Sequence, residues 1–130
     1  MKRILLIAII LMFGFFALIN WLDFGQIKKG GLFPDSNYRP SISQGKISYQ
    51  SNCMKCHGKH LLGTDKGPSL LDDVYKSSHH ADLSFYFAVK NGVKQHHWKF
   101  GDMPIITGLS PRRVSDIIAY VRYKQKLSKN

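Results

Sequence analysis

The chain contains no glutamate. All eight acidic residues are Asp, set against 19 Lys+Arg, which leaves a formal charge of +11. Two cysteines are too few for a disulfide-rich scaffold. No segment sustains the apolar–polar alternation that a sheet needs, and there is no internal repeat or low-complexity run. A hydrophobic content of 44% with 21% charged residues excludes a disordered chain, and 130 residues fit one folded domain.

Hydrophobicity is concentrated at the N-terminus. Ile4 to Leu22 carries no charge and is interrupted only by Gly14 and Asn20. As a helix it would be roughly 28 Å long, close to the hydrocarbon thickness of a bilayer. Trp21 stands at its far end, where an amphipathic ring favours the interface. Neither Ala17-Leu18-Ile19 nor Asp23-Phe24-Gly25 offers the paired small residues of a signal cleavage site. Residues 1–22 are therefore expected to form an uncleaved single-pass anchor. Lys2 and Arg3 before the segment, against Lys28 and Lys29 after it, lean only slightly toward a cytoplasmic N-terminus.

Gly30-Gly31, Pro34 and Pro40 break any period between Asp23 and Ile42, which reads as a flexible linker. The working domain is expected over 43–130, small and all-α. Helices are predicted at Gln44–Ser51, after a Ser41 or Ser43 cap, and near His80–Lys90, with Leu83 and Phe87 on the apolar face. The third is the clearest. Ser110 caps it, Pro111 takes the first helical position, and Val114, Ile117, Ile118 and Val121 fall at helical spacing. So short a domain buries only a modest core by itself.

Cys53-Met54-Lys55-Cys56-His57 is the CxxCH pattern of covalent c-type haem attachment. Two thiols add across the haem vinyl groups, and the adjacent His57 is placed to ligate the iron. A thioredoxin-like CxxC would need a βαβ context, which is absent. A zinc site drawing on both cysteines and two of His57, His60, His79, His80, His96 and His97 lacks zinc-finger spacing. A second axial ligand must come from later in the chain. Met1 and Met12 precede the domain and Met54 is pinned inside the motif, which leaves Met103.

With these residues the sequence resembles class I cytochromes c over about Gln44–Leu127. Gly45 and Tyr49 precede Cys53 as the small and aromatic residues of that family's N-terminal helix do. Ile117-Ile118-Ala119-Tyr120-Val121-Arg122 is similar to its C-terminal helix, whose aromatic residue crosses the first helix at the glycine. Gly67-Pro68-Ser69-Leu70 matches a Gly-Pro-x-Leu segment, and Gly101-Asp102-Met103-Pro104 matches the methionine-ligand loop. The resemblance implies one covalent haem c, a Pro68 carbonyl accepting from His57 Nδ1, and Leu70 packed on the haem. Trp98 and Phe100 are expected to shield the haem edge, a position that ordinary core packing would give the same look in sequence. His96-His97-Trp98 has no counterpart in the family pattern; either histidine could replace Met103 on the iron, or both could be surface or propionate-contacting groups. His79 and His80 are expected to start a helix and be solvated.

A haem closed by His57 and Met103 has no open position, so its chemistry is one-electron transfer and the chain is expected to be a carrier, not an enzyme. Lys55, Lys59 and Lys66 near the motif suggest docking to acidic redox partners; no nucleic-acid recognition motif appears. The family attaches haem outside the energy-transducing membrane, which implies a bacterial inner-membrane protein with its haem domain on the periplasmic side. Alternatives are a fixed haem subunit of a larger oxidase or dehydrogenase, and a five-coordinate ligand-binding or peroxidase-like protein.

Overall fold

The structure, a computed structural model, describes residues 9–18 and 31–128. Two units separate, Met1–Gly31 and Leu32–Asn130. In the first, residues 9–18 are helical. No helix among the described residues is long and apolar enough to cross a membrane. The remainder of the stretch read as an anchor, including Trp21, lies outside them.

The second unit is helical, and among the described residues it contains no strand, only the isolated bridges Thr64–Gly67 and Val93–Met103. Its helices are α1 (Ile42–Asn52), α2 (Met54–His57), α3 (Asp82–Asn91) and α4 (Pro111–Leu127), with a 3₁₀ turn at Asp73–Tyr75. Ser41, not Ser43, caps α1: its side chain accepts from Gln44 N–H, so the helix starts at Ile42, two residues before the expected position. α4 begins as its sequence dictates. Ser110 Oγ accepts from Arg113 N–H, and Pro111 supplies a fixed φ where no N–H is needed.

α1 and α4 form the frame. They cross at Gly45, where an added Cβ would lie 2.9 Å from Tyr120 Cβ and would collide with the Asp116 carbonyl. Only a missing side chain lets the backbones come so near. Below the crossing, Tyr49 and Tyr120 pack with ring centroids 5.6 Å apart, in a cluster with Leu61, Leu70, Ile117 and Val121. Full burial of each such side chain contributes roughly 1.5–3 kcal/mol. Tyr49 keeps its hydroxyl satisfied by donating to the Gly58 carbonyl at 2.7 Å. A second, smaller cluster joins Tyr86 of α3 to Val114 and Ile118 of α4.

Two expectations need correction. The stretch read as a linker is docked from Leu32 onward: Leu32 packs on the second cluster, Phe33 meets Tyr86 edge-on at 5.2 Å, and Tyr38 donates to the buried Asp116 carboxylate. Helix breakers such as Pro34 and Pro40 exclude regular structure but not side-chain docking. On α3, the buried residue is Tyr86, while Leu83 and Phe87 are 45% and 46% exposed. The helix turns one face to the α4 core and another to the cavity described next.

Candidate functional site

The CxxCH motif sits at the junction of α1 and α2. Cys53 N–H donates to the Tyr49 carbonyl at 2.8 Å, ending α1, and the next turn presents Cys56 and His57. The two cysteines form no disulfide with each other. Burial, with a smaller contribution from Cys56, pushes the Cys53 thiol up to about 11.

The following loop returns on the motif. Gly63 N–H donates to the His57 carbonyl at 2.8 Å, Thr64 N–H to Gly67 at 2.9 Å, and Leu70 N–H to Leu61 at 2.9 Å. This path carries the Pro68 carbonyl to 2.9 Å from His57 Nδ1. A carbonyl can only accept, so Nδ1 carries the proton and Nε2 keeps its lone pair. Burial holds the imidazole below its ordinary pKa, partly opposed by the Pro68 hydrogen bond. A neutral imidazole, oriented through its other nitrogen, is the form that ligates a metal.

These residues open onto a cavity of about 390 Å³. Close-packed interiors hold few voids larger than a water molecule, so a space of this size in so small a domain is built for an occupant. Cys53, His57, Pro68 and Leu70 line it from the motif side, joined by Trp98, Phe100 and Met103. Cys56 lines an adjoining space of about 90 Å³ together with Cys53, His57 and Met103. All eight residues singled out in the sequence thus border one region.

Met103 is positioned by backbone. It exchanges hydrogen bonds with Val93, donating at 2.9 Å and accepting at 3.0 Å, directly after the glycine that ends α3. The chain from Lys94 to Asp102 is closed on itself: the Asp102 carboxylate accepts from Lys94 Nζ at 2.5 Å and from Gln95 N–H at 3.0 Å. Those contacts keep the Asp102 carboxyl below its ordinary value.

Reading residues alone missed the apolar walls of the cavity, Phe85 and Val89 of α3 and Ile117 and Ile118 of α4. The helical spacing marked Ile117 and Ile118 as core, but not that they also face a ligand space. Also missed was Arg122, whose guanidinium donates to the carbonyls of Tyr75 at 2.6 Å and His80 at 2.5 Å and so ties one cavity loop to α4. Lys55, Lys59, Lys66 and His60 are exposed.

His79 and His80 do not start a helix; they occupy the turn before α3, with His79 exposed and His80 half-buried. They meet His96 and His97 from the methionine loop, and the His96 and His97 rings lie 4.4 Å apart. His97 is held below its ordinary pKa, first by desolvation and then by its three histidine neighbours.

The donor set fits a covalently attached haem. Two thiols lie at CxxCH spacing, a neutral imidazole is fixed through Nδ1, and a thioether borders the same apolar space. No curated protein and no solved structure matches the chain significantly. A family model for cytochrome c matches residues 42–125. The chain therefore belongs to the cytochrome c family, whose domain binds covalently attached haem c and whose chemistry is electron transfer.

Proposed function

We propose that this protein is a membrane-anchored carrier of single electrons whose haem iron is held between His57 and Met103. The observation that carries the reading is that both residues border one apolar cavity, each fixed by backbone hydrogen bonds. When bound, the haem would supply a ferrous–ferric couple, and thioether ligation by Met103 would raise its potential relative to a harder ligand. The chain's own part is to hold those two ligands and to keep the surroundings apolar. Cys53 and Cys56 secure the group, Leu70, Ile117 and Ile118 exclude water, and Trp98 and Phe100 border the cavity near the methionine loop.

Lys55, Lys59 and Lys66, all exposed beside the attachment motif, would draw in an acidic redox partner. The apolar stretch Ile4–Leu22 would anchor the chain in a bacterial inner membrane with the haem domain on the periplasmic side. Tethering raises the effective concentration of carrier near its partners.

Potentiometric titration of the purified full-length protein, with carbon monoxide added to the reduced form, tests the reading. The expected result is a single one-electron wave and no carbon monoxide adduct. An adduct forming on the untreated protein at neutral pH would point to an open iron and a ligand-binding role.

A further inference from the structure

The haem chemistry leaves five of the six histidines without a role, and the fold gathers four of them, of which His80, His96 and His97 line the cavity. His79 and His80 come from the turn before α3, His96 and His97 from the methionine loop. Nε2 of His79 and Nε2 of His97 are 3.3 Å apart, although 18 residues separate them in sequence. One ring nitrogen from each of His79, His80 and His97 lies within 4.8 Å of the other two.

Two imidazole nitrogens bound at about 2.05 Å to one tetrahedral ion stand about 3.3 Å apart, so the His79–His97 pair already has the separation of co-ligands. His80 has the accompanying arrangement of a metal-bound imidazole. Its Nδ1–H donates to the Val74 carbonyl at 2.5 Å, which fixes the ring and leaves Nε2 as the lone-pair nitrogen. His96 is fixed in the same way by the Lys94 carbonyl at 2.8 Å.

The two loops are also held in register before any ion arrives. Trp98 Nε1–H donates to the Tyr75 hydroxyl at 3.1 Å, joining the methionine loop to the 3₁₀ turn. Arg122 donates to the carbonyls of Tyr75, the last residue of that turn, and of His80, and Gln125 adds a bond to the Tyr75 carbonyl at 3.0 Å. A site carried on braced segments loses little entropy when it binds.

The ligand chemistry selects the ion. Three imidazoles with no carboxylate among them suit Zn²⁺ or Cu²⁺ and not Ca²⁺ or Mg²⁺, which require oxygen. A protein of net charge +11 would repel a cation held by charge alone, so the binding must rest on coordinate bonds. We propose that His79, His80 and His97 bind one divalent transition-metal ion of the zinc or copper type, with a fourth position open to water. The site takes no ligand from Cys53, Cys56, His57 or Met103.

Calorimetric titration with Zn²⁺ tests this on untagged, full-length holoprotein that has been treated with chelator and dialysed. One equivalent should bind. The affinity should fall by roughly tenfold or more in His79→Ala and, separately, in His97→Ala, and stay unchanged in His60→Ala. The two ligand variants alter different loops, so misfolding of one leaves the other as a test. Zinc uptake equal in wild type and both ligand variants overturns the proposal, as does an equal loss in His60→Ala. If His97→Ala instead opens the iron to carbon monoxide, His97 is an iron ligand and the metal site does not exist.

Discussion

Gly92 and Met103 approach so closely that a Cβ on Gly92 would lie 2.5 Å from the Met103 carbonyl oxygen. Gly92 ends α3 at φ 70° and ψ −178°, a backbone region that is essentially glycine's alone. The end of one helix thus sets the place of a residue eleven positions later. Gly92→Ala should cost about 1–3 kcal/mol in denaturant unfolding. It should also weaken the far-red sulfur-to-iron absorption band of the holoprotein, because the methionine loop must shift. A full-strength band in this variant would mean that the contact does not position Met103.

The buried Asp116 ties the segment before α1 to the helix that closes the fold. Its carboxylate accepts from the Tyr38 hydroxyl at 2.8 and 2.9 Å and from Ser41 N–H at 2.7 Å. Asp116→Ala removes both acceptors and should destabilise the domain by about 1–3 kcal/mol, measured as a lowered denaturation midpoint at constant slope. The same hydrogen bond is the main reason that Tyr38 titrates above its ordinary value of 10.0. Its contribution to stability is therefore complete below pH 10 and lost as pH rises through the elevated folded-state value. In Asp116→Ala the alkaline loss should be smaller, what remains coming from the buried Tyr49 and Tyr120 and the half-buried Tyr75; an undiminished loss would show that Tyr38 contributes none of it.

What could be read from sequence was what depends on short range. The Ser110–Pro111 start, the α4 spacing and the CxxCH motif each lie within one turn or two, and the structure places them as expected. Gly45 was legible for a different reason: a glycine opposite an aromatic in a crossing helix has one steric purpose, and the Gly45–Tyr120 contact shows it. The histidine cluster was not legible, because His79 and His97 meet only through the path of two loops and the Trp98–Tyr75 bond. The face of α3 failed similarly. Periodicity finds apolar positions but cannot divide them between a side-chain core at Tyr86 and a cofactor cavity at Phe85 and Phe87.

Charge should govern encounter, not the site itself. Replacing Lys55, Lys59 and Lys66 together by Glu should slow electron transfer to an acidic redox protein by roughly tenfold or more at low salt, and flatten its dependence on ionic strength. The potential should change little, since all three side chains are exposed. Stopped-flow rates across a salt series would decide. An unaltered salt slope would place the docking surface elsewhere on this basic chain.

The ligand pair is tested most directly by Met103→Ala in the full-length holoprotein, followed by potentiometry and exposure of the reduced form to carbon monoxide. The expected result is a lower midpoint potential and a new carbon monoxide adduct, with haem still covalently attached through Cys53 and Cys56. An unchanged potential together with continued exclusion of carbon monoxide would show that the iron is closed by another residue, and would contradict the His57–Met103 assignment.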